Sequence, residues 1–262
     1  MVQTCSELSV DTNLYQIDQL LDEKLIVHPD VLVLPECFAS MGGVLADVTK
    51  KVVLIKEWMR EQARSYGCWV VGGTVPYLHQ HEKKCRASCF VYDPQGNERV
   101  RYDKIHLFDA RVVDGRGVYQ ESDDYLPGDT PTTISMEGAP FRCLGLSVCY
   151  DLRFPELYRA LVDLGANIFC IPSAFTHVTG KAHWEPLLRA RAIENQCIVI
   201  AANQGGRHAD GRETWGHSMI ISPWGEILAE AGTEPTVLSV SIDLSMLYEL
   251  RIKMPFYDHR RL

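Results

Sequence analysis

Phe141-Arg142-Cys143-Leu144-Gly145-Leu146-Ser147-Val148 is an apolar run that meets Cys149-Tyr150-Asp151-Leu152-Arg153-Phe154-Pro155-Glu156. The run reads as a buried strand. A helix follows over Pro155–Leu164, because proline suits a first turn and Gly165 the residue past the last. Cys149 therefore stands at a strand-to-helix turn. Such a turn lifts a nucleophile out of the sheet and points backbone N–H groups, that of Tyr150 among them, toward a developing oxyanion. A helix N-terminus also favours thiolate over thiol. A buried core cysteine is the plainer reading. With eight other cysteines in the chain, position rather than residue type makes the case.

Working outward, further strand-length apolar runs are Val31–Leu34, Trp69–Val71, Cys89–Tyr92, Asn167–Ile171, Cys197–Ala201, Met219–Ile221 and Val237–Ile242. Several are apolar on both parities, as in strands covered on both faces. Between them run helical segments. Val53, Leu54, Trp58 and Ala63 share a face of Val52–Ala63, and Leu187, Leu188, Arg191 and Ile193 an inward face of His183–Asn195. Helices alternating with buried strands give an α/β class. The turn Asp93-Pro94-Gln95-Gly96-Asn97 adds antiparallel pairing. With no linker, repeat or low-complexity tract, residues 1–262 read as a single domain. Val2-Gln3 reads as a short opening strand, as though the chain starts part-way through it.

Composition narrows the function. The chain is 46% hydrophobic and 23% charged, which excludes disordered, collagen-like and coiled-coil classes. Its charges sum to 26 − 34 = −8 with no long run of one sign, which argues against a nucleic-acid partner. No stretch reaches the roughly 18 apolar residues of a membrane span. Met1 to Asp11 has neither a basic segment nor an apolar signal core, which speaks against export. Nine scattered cysteines, an odd number, fit reduced thiols in a cytoplasm. Cys85 and Cys89 with His79 and His81 invite a zinc reading. No second ligand pair follows, so thiols in a sheet are the better account.

Three other charged residues sit at strand ends or in loops. Glu36, in Leu34-Pro35-Glu36-Cys37-Phe38, follows a buried strand, where a carboxylate is costly unless paired or used as a base. Spacing alone favours a capping or solvent-facing glutamate. Lys104 falls within Tyr102–Phe108, an alternating strand, where a surface lysine at an edge is the usual explanation. Glu121, ahead of Leu126-Pro127-Gly128, reads by itself as a loop carboxylate.

Taken in order, these segments resemble the nitrilase superfamily of carbon–nitrogen hydrolases across nearly the whole chain. Leu34-Pro35-Glu36, Tyr102-Asp103-Lys104-Ile105-His106-Leu107-Phe108-Asp109 and Cys149–Glu156 match its three signature segments, the last with high specificity. Ala174-Phe175-Thr176, Thr179-Gly180, Ala182-His183-Trp184, Arg189–Asn195 and Ala201–Gly206 are similar to the deaminated glutathione amidase branch. The chain departs from the family at Arg86-Ala87-Ser88, where an asparagine is common. The resemblance implies a four-layer α-β-β-α sandwich and assembly as a homodimer or higher homo-oligomer. The tail Met254–Arg261, rich in aromatics and arginines, suits docking on a partner subunit.

The resemblance also implies roles. Glu36 is the general base, Lys104 the charge stabiliser, Cys149 the nucleophile, and Glu121 a second glutamate that holds Lys104 or the substrate amide. Arg153, Phe175, Thr176 and Thr179 lie near the substrate pocket. Plainer readings are an ion pair of Arg153 with Asp151 or Glu156, and threonines that cap the next helix. Trp184 and Trp215 read as core or interface residues. The implied reaction is amide hydrolysis through a cysteine thioester, on a small-molecule substrate and without metal or organic cofactor. Deaminated glutathione is the expected substrate, as in metabolite repair. α-Ketoglutaramate-type keto-acid amides, cleaved by ω-amidases, are the alternative, with a non-enzymatic binding scaffold as the different-class reading. A papain-like enzyme would instead pair Cys149 with His106 or His183.

Overall fold

The computed structural model describes residues 1–114, 117–136 and 142–261. Phe141, the first residue of the expected strand, lies outside them. Two sheets carry the fold. One is built from Val31–Leu34, Trp69–Gly72, Arg86–Tyr92 and Val75–Tyr77 in that order, with Glu98–Asp103 on the other edge of Arg86–Tyr92. The second has six strands in the order Ile227–Glu230, Met219–Ile221, Ile198–Ala201, Ile168–Cys170, Cys143–Leu146 and Thr132–Ser135. Both mix parallel and antiparallel pairs. The turn at Asp93 forms as expected, its Oδ1 accepting the N–H groups of Gln95 and Asn97.

Strand alternation divides the core into layers. Leu32 and Leu34 pack with the helices Val10–Lys24 and Val52–Tyr66, whereas Val33 between them joins the core shared with the second sheet. In the second sheet a Cβ on Gly145 would sit 2.9 Å from the Ala166 Cβ and 3.3 Å from the Leu161 Cβ. That face takes the helix Pro155–Asp163 at a range no larger residue allows, leaving Leu144 and Leu146 for the inter-sheet core. The result is a four-layer α-β-β-α sandwich. Each fully covered Leu or Ile contributes about 1.5–3 kcal/mol.

Several boundaries differ from the sequence reading. Val52–Tyr66 buries Val52, Ile55, Met59 and Ala63, a true 3.6-residue stripe, while Val53 is 80% exposed. The long helix His177–Asn195 starts at His177, capped by the Thr176 hydroxyl, and not at His183. Gly180 and Pro186 mask its first turns in the sequence. Ile193 points outward, and Ala192 and Asn195 are buried instead. Of Val237–Ile242 only Val237 is in a strand: Thr236–Val237 pairs with Val2–Gln3. Leu238 extends that pairing by two hydrogen bonds with Met1, and Val240 and Ile242 pack on the core in alternation beyond it, with no strand paired to them among the described residues. Glu98–Asp103 ends before Lys104. The tail folds onto its own chain, with Arg260 on Asp163 and the Tyr257 hydroxyl on Asn195. Trp184 is a core residue whose Nε1 donates to the His217 carbonyl at 2.7 Å, and Trp215 stacks on His217.

Candidate active site

The C-terminal end of Val31–Leu34 delivers Glu36. Its carbonyl accepts a 2.9 Å hydrogen bond from Gln204 Nε2, so a side chain from the second sheet's end of the chain holds the loop. Gly73 takes φ +47° beneath it, and a Cβ there would lie 2.0 Å from the Pro35 carbonyl oxygen. The backbone can make that approach only as glycine. Glu36 is buried, not solvent-facing, and caps no helix.

Lys104 is 2% exposed and is no surface lysine. Its N–H donates to the Ala87 carbonyl just past the strand end, and its own carbonyl accepts from Gly128. Nζ donates to Glu36 Oε1 at 2.8 Å and to Glu121 Oε2 and Oε1 at 2.8 and 3.0 Å. Glu121 stands on the short 3-10 turn Glu121–Asp123, and its Oε2 also accepts the Phe108 N–H at 2.7 Å. Burial works against the ammonium, but Glu121 and Glu36 outweigh it and hold Lys104 protonated well above its ordinary range. Burial raises Glu121; Lys104 pulls it back and Glu36 adds to the rise.

Cys149 is the first residue of the 3-10 turn Cys149–Arg153, at φ +49°. A non-glycine residue there is strained by about 1–3 kcal/mol, and persists where surrounding contacts enforce it. Those contacts centre on Asp151, which is fully buried. Its Oδ2 accepts the Val148 N–H at 2.8 Å and the Tyr102 hydroxyl at 2.7 Å. Its Oδ1 meets the His106 N–H at 2.9 Å and His106 Nδ1 at 2.7 Å, while the imidazole stacks 3.6 Å from the Phe154 ring. Arg191, from the long helix, donates twice to the Leu152 carbonyl.

The Cys149 thiol shares the cleft with Glu36 and Lys104, and the charges of both act on it. Burial pushes it well above the ordinary thiol range and Glu36 adds to that, against Lys104 and the Ala174 N–H. The expected thiolate-favouring effect of the turn is thus overridden by burial, and the resting sulfur is protonated near neutral pH. Activation needs a base, and the carboxylate that shares the buried cleft with the thiol and acts on its charge is Glu36. Among the described residues the Tyr150 N–H has no hydrogen-bond partner. His106 is committed to Asp151, and His183 Nδ1 accepts from Arg153 Nη1 at 3.3 Å. Neither takes the place of a papain-like base.

Beside Cys149 lies a small recess of about 20 Å³ lined by Phe108, Tyr150, Arg153, Phe175, Thr176 and Thr179. The Arg153 guanidinium lies over the Tyr150 and Phe175 rings, 5.6 and 5.5 Å from their centroids. Among the described residues it makes no ion pair with Asp151 or Glu156, so the scaffold reading of Arg153 does not hold. Thr176 does cap the helix: its hydroxyl accepts the Thr179 N–H and meets the Thr179 hydroxyl at 2.9 Å. The sequence reading missed Gln204, Tyr102 and the clamp role of Asp151, whose partners are 45 and 49 residues away. The one available signal was an acidic residue two positions past the turn cysteine. Cys85 and Cys89 are buried in the first sheet's edge and interior, and among the described residues no group of three metal-ligating side chains converges.

A four-layer sandwich carrying a buried carboxylate–ammonium–thiol cluster at its strand ends defines the class of molecule. Residues 1–252 match the carbon-nitrogen hydrolase family. A deaminated glutathione amidase of Yersinia enterocolitica is 40% identical over 269 residues, spanning 100% of this chain and 92% of the relative. An omega-amidase of Xenopus laevis is 37% identical over 252 residues, 95% of this chain and 89% of that protein. Among solved structures, the NitFhit protein of C. elegans superposes with a TM-score of 0.89 at 34% identity, covering 99% of this chain and 64% of that one. The chain belongs to the carbon–nitrogen hydrolase family and is an enzyme acting on carbon–nitrogen bonds.

Proposed function

We propose that the protein is an amidase acting on deaminated glutathione, with residues 1–262 forming one hydrolase domain. The observation that carries this reading is the gathering of buried Glu36, Lys104 and Cys149 around one cleft, with Lys104 Nζ bonded to Glu36 and Glu121 behind the lysine. An amide is a poor electrophile, and a thiol divides its hydrolysis into two easier steps. Glu36 takes the thiol proton as sulfur attacks the carbonyl carbon. Lys104 Nζ and the Tyr150 N–H stabilise the oxyanion. Collapse of the tetrahedral intermediate breaks the C–N bond, Glu36 returns the proton to the departing amine, and a thioester remains on Cys149. Glu36 then deprotonates a water, which attacks the thioester; the acid leaves and the proton returns to sulfur. Glu121 holds Lys104 in place throughout.

The substrate assignment rests on likeness and on charge. Deaminated glutathione is a keto-acid amide joined to cysteinylglycine, with a carboxylate at each end. An arginine without a carboxylate partner, set over two rings beside the nucleophile, suits one of them. Nine free thiols and no disulfide support a cytoplasmic setting, where the protein works as a homo-oligomer without nucleic-acid or membrane partners. No helix among the described residues is long and apolar enough to cross a membrane.

The test is a panel of amides at equal concentration: deaminated glutathione, α-ketoglutaramate, a neutral amide, a nitrile and an N-carbamoyl compound. The expected result is the highest kcat/KM on deaminated glutathione. A tenfold preference for α-ketoglutaramate would make the enzyme an ω-amidase, and no turnover of any compound would leave a binding scaffold.

A further inference from the structure

The space around Cys149 has two arms. Phe108, Cys149, Ala174 and Thr176 border both. Tyr150, Arg153, Phe175 and Thr179 line only the narrow recess, whereas Glu36, Lys104 and Glu121 line only the wider cleft. This division orients the substrate. The group that protonates the leaving amine must stand on the amine's side of the scissile bond. The amine portion therefore leaves through the wide cleft, and the acyl portion extends toward the recess and Arg153.

The wide cleft is also lined by Arg207 and Arg212, on the hairpin of Gly205–Arg207 and Glu213–Trp215. Arg212 is tied to Asp210 at 2.6 Å, and Asp210 in turn packs where a Cβ on Gly42 would stand. Arg207 differs. Among the described residues its guanidinium forms no ion pair or hydrogen bond; only its carbonyl is engaged, by the Cys5 thiol. Its cross-strand neighbour Glu213 also lines the cleft and is not paired with it.

We infer that Arg207 binds a carboxylate carried by the leaving amine, so that the enzyme selects amides whose amine part ends in a carboxylate, as a short peptide does. The inference rests on the proposed amidase reading and adds to it a residue for the half of the substrate that Arg153 does not reach. Contact with the departing half is made in the ground state and the transition state alike, so its loss raises KM more than it lowers kcat.

The test compares wild type, Arg207→Gln and Arg207→Lys on deaminated glutathione, on its analogue ending in glycinamide, and on α-ketoglutaramate. Wild type is expected to prefer the glycine carboxylate over the glycinamide. Arg207→Gln should lower kcat/KM on deaminated glutathione about tenfold to a hundredfold, mainly through KM, with Arg207→Lys in between. The two substrates without that carboxylate should change by less than about threefold. Equal losses on all three, or no loss on deaminated glutathione, overturn the role of Arg207 while leaving the amidase reading intact. Failure of wild type to hydrolyse deaminated glutathione at all overturns the substrate reading itself, and this inference with it.

Discussion

Lys104 shows how far a single residue can depart from its sequence context. Alternation among Tyr102, Lys104 and His106 suggests an edge lysine, yet the side chain is buried and shared between Glu36 and Glu121. Its partners are 68 and 17 residues away, and no local pattern encodes that meeting. Glu36 is misread for the same reason; only the family resemblance brings the three residues together before the fold is seen. If Lys104 meets charge that develops in the transition state, Lys104→Met should lower kcat about 10²–10³-fold with a much smaller change in KM. Steady-state kinetics decide this, with circular dichroism to show that the variant is folded. A normal kcat with a raised KM would move Lys104 from catalysis to ground-state binding. The resting Cys149 thiol, held protonated by burial and by Glu36, agrees with a mechanism in which deprotonation accompanies attack.

Among the elements, the turn Cys149–Arg153 was legible because a strand, a cysteine and a helix-starting proline follow one another in sequence. Its support was not. Asp151 gathers Val148 from its own turn with Tyr102 and His106 from the edge of the first sheet, so the clamp joins the two sheets at the nucleophile. The long helix begins six residues before the start its sequence pattern suggests, for a related reason. Gly180 looks like a breaker, but its missing side chain makes room for Trp215, whose Cβ would stand 2.2 Å from an added Cβ. Asp151→Asn keeps the size but loses the charge that receives four donors. It should cost about 3–5 kcal/mol of stability and lower kcat alike on every amide, because the turn rather than a substrate contact is disturbed. Thermal melting and the amide panel measure the two effects. Unchanged melting, or a loss confined to one substrate, would show that Asp151 does not act through the turn.

For the whole molecule, two sheets packed face to face bring their strand ends to one place, and each contributes separately. The first sheet supplies Glu36 and Lys104; the second supplies Cys149 and, through Gln204, the tether on the Glu36 loop. Layering was legible from strands apolar on both parities. The direction of the C-terminal tail was not, since aromatics and arginines suit a partner subunit and the chain's own helices equally well. Neither the net charge of −8 nor any single motif points to a substrate with carboxylates at both ends; the proposed reading rests for that on Arg153 in the recess and Arg207 on the cleft. The central claim is that Cys149 carries the acyl group between the two halves of the reaction. Rapid acid quench of the enzyme during turnover of deaminated glutathione, followed by peptide mass spectrometry, tests it directly. The keto-acyl mass should appear on the peptide containing Cys149 and be absent in Cys149→Ala, which should be inactive. An acyl group on another residue, or continued hydrolysis by Cys149→Ala, would contradict the account.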